Sequence, residues 1–249
     1  IHLICGVRHP HKGEVRISGH PADSIEARKR TGYLPERPYF HEHLTGEEFL
    51  FFLGSLSGMP SKQIRSRSSW VLDKVGLKKA SKAKLSTYSK GMLQRIGIAQ
   101  AILHDPELIV LDEPMSGLDP IGRKEIRELI QGLAAEGHTV FFSTHVVPDV
   151  EAICNQVALI QAGKIVRQGS VAELLKSGDS RTEIAFLGNV DLGPVKELPG
   201  GARLVVVPDD RVDESLRQIL KSKGSVLSVS PIRPSLETML FGKEATHGS

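Results

Sequence analysis

The sequence predicts an α/β fold: a parallel sheet with helices on both faces, a helical subdomain, and a small α+β unit at the carboxyl end. Three observations lead there. Leu108-Ile109-Val110-Leu111 is a continuous apolar run of strand length, as in strands buried on both faces of a sheet. Thr139-Val140-Phe141-Phe142-Ser143 is a second such run and predicts a second buried strand. Between them, residues 120–136 carry the period of a helix, with proline in the first turn and Gly137 at the end. Strand, helix, strand in this rhythm is the pattern of a parallel sheet.

The other elements follow in chain order. Ile1-His2-Leu3-Ile4-Cys5-Gly6 reads as the end of a helix stopped by glycine. Residues 13–18 alternate apolar and polar, as a half-buried strand does. Thr31-Gly32-Tyr33-Leu34 is a short strand ended by Pro35. Residues 45–75 read as largely helical, broken at Gly58-Met59-Pro60. A helix over 89–103 places Met92, Ile96, Ala99, Ile102 and Leu103 at helical spacing, and His104-Asp105-Pro106 ends it. A short helix at 148–154 leads to strands at 157–161 and 165–168, counted with the α/β layer, and to a helix at 171–176. Ser177-Gly178-Asp179-Ser180 marks a boundary. The expected domains are 1–177, with its helical subdomain at about 45–105, and a small accessory domain at 178–249. The latter has strand candidates at 183–187, 204–207 and 226–229 and a helix candidate at 212–221.

Composition narrows the function classes. The chain has 249 residues, 40% hydrophobic and 24% charged, enough for a sizeable core without disulfides. A net charge of +3 with intermixed signs gives no reason to expect nucleic acid as a partner. The basic stretch from Lys78 to Lys84 reads as a solvated loop. Two cysteines, Cys5 and Cys154, lack CxxC spacing and read as reduced, buried thiols of a cytosolic protein. His41 and His43 flank Glu42 in a loop and read as exposed rather than metal-ligating. No apolar run approaches the roughly 20 residues of a membrane span, so any membrane role comes through a partner.

The chemistry concentrates at Asp112-Glu113-Pro114, directly after the first apolar run. Ligands of open α/β sheets bind outside the carboxyl ends of the strands. Adjacent side chains on a strand point in different directions. One acid can therefore hold Mg²⁺ while the other orients or deprotonates a water. An equally open reading makes them an ordinary strand-to-helix cap. The neighbouring motifs decide between the two. Ser116-Gly117-Leu118-Asp119-Pro120 forms a turn into a helix, Tyr88-Ser89-Lys90-Gly91-Met92 lies upstream, and Ser143-Thr144-His145 ends the second strand.

In this order and spacing the chain resembles the ATP-binding subunits of ABC transporters: signature loop, Walker B acids, D-loop and switch histidine. The resemblance implies a P-loop NTPase-like sheet, ATP and Mg²⁺ as ligands, and hydrolysis coupled to export through an integral-membrane permease. It also implies a homodimer or a second paired ATPase subunit, no nucleic acid, and a cytoplasmic place on the inner face of the membrane. Asp112 matches the family's Mg²⁺-holding aspartate, Glu113 its general base and His145 its γ-phosphate-touching histidine. Ser89 and Gly91, with Lys90 and Met92 between and after them, match the loop that holds ATP on the opposing subunit. Ser116, Gly117 and Asp119 match the loop that crosses the dimer interface. Glu36, in Thr31-Gly32-Tyr33-Leu34-Pro35-Glu36, stands where the family's Q-loop has glutamine, near both metal and nucleotide. Glu36, the Tyr-Ser-Lys-Gly-Met loop and Ser235-Leu236-Glu237-Thr238-Met239-Leu240 resemble the subfamily serving ABC-2-type exporters.

The family's phosphate-binding loop, G-x-x-x-x-G-K-S/T, is absent from the sequence. Gly132 to Thr139 imitates it but runs from helix to strand, and Gly117 to Lys124 has Arg123-Lys124 in place of the Lys-Ser/Thr pair. In the family the loop opens a helix that ends near a glycine, before a Gly-Glu strand. Residues 1–6 and Gly13-Glu14-Val15 match those later features, so the chain is expected to begin inside that helix and to be inactive alone. Two other classes share parts of the pattern. A non-transport ABC ATPase of translation or DNA repair would carry paired motif sets or long heptad runs. A regulator without the loop would keep the fold and bind no nucleotide.

Overall fold

The computed structural model describes residues 1–176, 181–232 and 236–237. They fall into two compact units, Ile1–Asp149 and Val150–Ser249. The boundary expected after residue 177 lies outside the described residues.

At the amino end, Cys5 N–H donates to Ile1, Gly6 to Leu3 and Val7 to His2, with Gly6 at φ +62°. The expected glycine stop is present, but the segment forms hydrogen-bonded turns rather than a helix. The strand expected over 13–18 is shorter: β1 (Arg16–Ile17) pairs with β2 (His20–Pro21) around Ser18-Gly19. Both turn residues have positive φ, as a two-residue hairpin requires. Gly13, at φ +79°, turns the chain before a longer strand can pair.

Next come α1 (Ile25–Lys29), capped by Ser24, and β3 (Thr31–Leu34). The helical part consists of α2 (Gly46–Leu56), α3 (Ser61–Lys74) and α4 (Lys90–Ile102). Thr45 and Glu48 satisfy each other's backbone N–H groups at the start of α2. Arg67 of α3 donates to the carbonyls of Ile102 and Leu103, both at 3.0 Å, and so caps the carboxyl end of α4.

β4 (Leu108–Leu111), α5 (Pro120–Ala135), β5 (Thr139–Phe142) and α6 (Val147–Ile153) complete this run, the unit boundary falling inside α6. The sheet is parallel, in the order β3-β4-β5, with Leu34, Leu111 and Phe142 in register. Ile109, Val110 and Leu111 are fully buried, and because neighbours point to opposite faces, both faces of β4 are covered. β5 departs from its expectation. Its residues alternate between exposed and half-buried, and Phe141 is 43% exposed. Among the described residues it is the last strand of this sheet and pairs with β4 alone.

Gly32 on β3 lies so close to α4 that a Cβ there would collide with the Ala101 carbonyl oxygen and press on Pro106. Gly32→Val is expected to lower the unfolding free energy by about 1–3 kcal/mol. Urea denaturation reads this directly, and an unchanged midpoint would mean that α4 yields without cost. His104, between α4 and β4, reaches the Thr31 carbonyl with Nε2 at 3.3 Å. Burial lowers its pKa, with the Arg67 charge adding to the effect against the Thr31 hydrogen bond and the Asp105 charge. The unfolded chain then binds the extra proton more readily. The resulting stability is complete above the unfolded value, 6.5, and is lost as pH falls through the lower folded value. The urea midpoint should therefore drop more between pH 7.5 and 5.5 in the native protein than in His104→Gln, a difference that vanishes if the ring is already protonated.

In the second unit, β6 (Gln156–Gln161) and β7 (Lys164–Ser170) form an antiparallel hairpin around Ala162-Gly163. This corrects their expected place in the parallel layer: a two-residue connection can join only antiparallel strands. After α7 (Val171–Lys176) come β8 (Arg181–Leu187), β9 (Val195–Glu197), β10 (Arg203–Pro208), α8 (Val212–Lys221) and β11 (Ser225–Ile232). The four strands make an antiparallel sheet in the order β11-β8-β10-β9. Ile184, Phe186, Val205 and Val207 of the sheet pack with Ile219 of α8. The expected α+β character holds, and β9, with two of its three residues charged, is the strand that hydrophobic patterning does not reveal. Ser235 and Thr238-Met239-Leu240 of the subfamily-like segment lie outside the described residues. No described helix is long and apolar enough to cross a membrane.

Candidate functional site

Beyond the last paired residues of the sheet, two backbone bonds continue the ladder. Asp112 N–H donates to Leu34 at 2.8 Å and Ser143 N–H to Leu111 at 3.0 Å. This sets the first residue after β4 beside the first after β5. The Ser143 hydroxyl donates to Asp112 Oδ1 at 2.6 Å and accepts from Glu113 N–H at 2.9 Å. Glu113 itself is left-handed, φ +49°, a conformation that costs a non-glycine residue roughly 1–2 kcal/mol. Its carbonyl accepts from Ser116 N–H at 3.1 Å and starts the following turn. Its carboxylate Oε1 lies 3.0 Å from His145 Nδ1. An ionised carboxylate only accepts, so Nδ1 carries the hydrogen. The His145 side chain is 75% exposed and Glu113 22%, so the pair faces outward while staying anchored.

Two further side chains stand near Asp112. The Tyr33 hydroxyl is buried without a hydrogen-bond partner among the described residues. Burial raises its pKa, and the Asp112 and Cys5 charges raise it further. The Cys5 thiol is pushed up to about 11, chiefly by burial and also by Asp112. Cys154, in the other unit, is raised to about 11 by burial alone. Both cysteines are free and half-buried.

Asp112 suits a hard cation. One oxygen is held by Ser143, and no other side-chain hydrogen bond reaches it among the described residues. Magnesium is commonly bound by one or two carboxylates, with waters and phosphate oxygens completing its shell. No cluster of three or more His, Cys, Asp or Glu is needed for that, and none occurs among the described residues.

The second set of predicted residues gathers at the start of α4. Ser89 caps it, its hydroxyl accepting from Met92 N–H at 3.3 Å. The Lys90 ammonium lies against Gly117, filling the space where a side chain on that residue would begin. Gly117 is left-handed at φ +66°. Gly91 faces Leu118 of the same turn. Asp119 caps α5, accepting from Gly122 N–H at 2.9 Å. Ser89, Lys90, Ser116, Gly117 and Asp119 are exposed, while Gly91 and Met92 are half-buried. Glu36 is exposed beyond the carboxyl end of β3, the strand beside β4, and joins neither group by a hydrogen bond among the described residues.

Sequence reasoning passed over two features. Ser143 was read as strand end, although the rule that singled out Asp112 applies equally to it. Asp149, 2% exposed, accepts from Arg123 at 2.5 Å and Arg127 at 2.8 Å. Its signal was the pair of arginines one helical turn apart on α5. His41 and His43 stack edge-on with each other, and His41 does so with Tyr39 and Phe52. A cavity of about 710 Å³ opens between α2 and α3, lined by Leu44, Phe51, Phe52 and Leu72 among others, and by none of the predicted site residues.

The chain is similar to known proteins in sequence and fold. The family profile described as "ABC transporter" matches residues 1–116. An ABC transporter ATP-binding protein of Nostoc sp. is 46% identical over 97% of this chain and 74% of its own length. The bacitracin transport ATP-binding protein BcrA of Enterococcus faecalis is 40% identical over 70% of this chain and 56% of its own. Among solved structures, CbiO1 of Clostridium perfringens, part of the ABC transporter complex cbiONQ, superposes with a TM-score of 0.63 at 25% identity. That match covers 71% of this chain and 73% of CbiO1. With such similarity along nearly its whole length, the chain belongs to the family of ABC transporter ATP-binding proteins.

Proposed function

We propose that the chain serves as the ATP-hydrolysing subunit of an ABC-2-type exporter, with Glu113 as general base and His145 as its partner at the γ-phosphate. The observation that carries this is the Glu113–His145 hydrogen bond beside Asp112, at the open end of a strand buried on both faces. Asp112 would hold Mg²⁺, with Glu36 at the neighbouring strand end within the same sheet edge. When bound, the metal neutralises charge on the phosphate oxygens. The carboxylate of Glu113 takes the proton of the attacking water, and His145, holding that carboxylate by its Nδ1–H, keeps it aimed.

Ser89, Lys90, Gly91 and Met92 open a helix whose N–H groups favour an anion. With Ser89 and Lys90 exposed alongside Ser116, Gly117 and Asp119, these residues would face the ATP of a second copy in a homodimer, or that of a paired ATPase subunit. A separate integral-membrane permease would couple the cycle to transport, placing the subunit on the cytoplasmic face of the membrane. The similarity to BcrA, which is named for bacitracin transport, supports the export reading. The ATPase domain would extend over 1–177, with 178–249 as its accessory domain.

The test uses the gene product expressed from its own start codon. Mg²⁺-dependent ATP hydrolysis, together with co-purification of a membrane protein from detergent-solubilised membranes, is the expected result. ATP binding absent at millimolar concentration would end the reading.

A further inference from the structure

We propose that Ser143 is a positioning residue that orients both acids of the site through one hydroxyl. The proposal rests on the ATPase reading above. A serine hydroxyl has a single hydrogen and two lone pairs. Because Glu113 N–H donates to its oxygen, its own hydrogen is left to go to Asp112 Oδ1. The chain Glu113 N–H to Ser143 O–H to Asp112 therefore runs in one direction, and each bond polarises the next.

Each end of this chain has a distinct task. Glu113 lies beyond the last paired residue of β4 and is left-handed, and its N–H bonds the Ser143 hydroxyl oxygen rather than a backbone carbonyl of the sheet. Without that oxygen the N–H would lose its partner just where the backbone is strained, and the carboxylate held by His145 would lose its fixed base. At Asp112 the bond occupies Oδ1 and fixes the carboxylate, which leaves Oδ2 for a cation. Ser143 is held in turn by its own N–H, bonded to Leu111, so the hydroxyl is carried on the sheet rather than on a flexible loop. Neither His145 nor Thr144 duplicates it: His145 reaches the carboxylate of Glu113, and the Thr144 hydroxyl accepts from Val146 N–H.

The predicted signature is a joint defect in metal use and turnover. In the gene product expressed from its own start codon, two quantities are read. The first is the gain in ATP affinity on adding Mg²⁺ over EDTA, by titration calorimetry. The second is kcat, together with the Mg²⁺ concentration for half-maximal rate. For Ser143→Ala the Mg²⁺-dependent gain in affinity should shrink, the half-saturating Mg²⁺ should rise and kcat should fall, with a combined loss of about 10–100-fold. ATP affinity in EDTA should stay near that of the native protein. Ser143→Thr keeps the hydroxyl and should restore metal response and kcat together. Should Ser143→Ala lose only thermal stability, with metal response and kcat unchanged, the serine is structural and the proposal fails. It fails equally if Ser143→Thr is as impaired as Ser143→Ala, or if Ser143→Ala cannot fold while Ser143→Thr folds with a native circular dichroism spectrum but a lost metal response. Native protein that binds no nucleotide removes the ATPase reading and this proposal with it. Native protein that turns over ATP beside an unaffected Ser143→Ala removes this proposal alone.

Discussion

Glu113→Gln is expected to reduce ATP turnover by about 10²–10⁴-fold while nucleotide still binds. The amide matches the carboxylate in size, and its oxygen can still accept from His145 Nδ1–H at the 3.0 Å now seen. It cannot take a proton from water. The backbone at 113 should keep its left-handed turn, because its N–H bond to Ser143 and its carbonyl bond to Ser116 do not involve the side chain. The variant should therefore separate chemistry from folding. Single-turnover hydrolysis and ATP titration on the same preparation measure the two effects. Native hydrolysis by the variant would remove Glu113 from the role of base, and lost binding would show that the carboxylate supports the nucleotide site itself.

Asp149→Ala carries the largest expected loss of stability. Its carboxylate is buried and bridges Arg123 and Arg127, one turn apart on α5. Removing one partner of a buried ion pair typically costs about 3–5 kcal/mol, because a charge is left uncompensated. Here the arginine side chains are 28% and 29% exposed and keep part of their hydration, so about 3 kcal/mol is expected. Urea unfolding of Asp149→Ala measures it, and Asp149→Asn, which keeps one acceptor oxygen, should fall between the two. A loss below about 1 kcal/mol would mean that water replaces the carboxylate at both guanidinium groups.

What the sequence by itself determined were the local elements and the identity of the acids. The apolar run of β4, the capping pair Thr45 and Glu48, Ser89 before α4 and Asp119-Pro120 before α5 each act within a few residues. Their effect on backbone and burial is legible without knowing what lies across from them. Asp112 and Glu113 were legible for the same reason, as acids directly following a strand. The tertiary structure decided which distant segments meet. It set β5 in parallel register beside β4 and folded β6 onto β7 as a hairpin. It brought Ser143 to Asp112 across 31 positions and the arginines of α5 to Asp149 across 26 and 22. A hydroxyl or carboxylate finds its partner only once strands are in register and helices packed, and no nearest-neighbour preference along the chain encodes that distance.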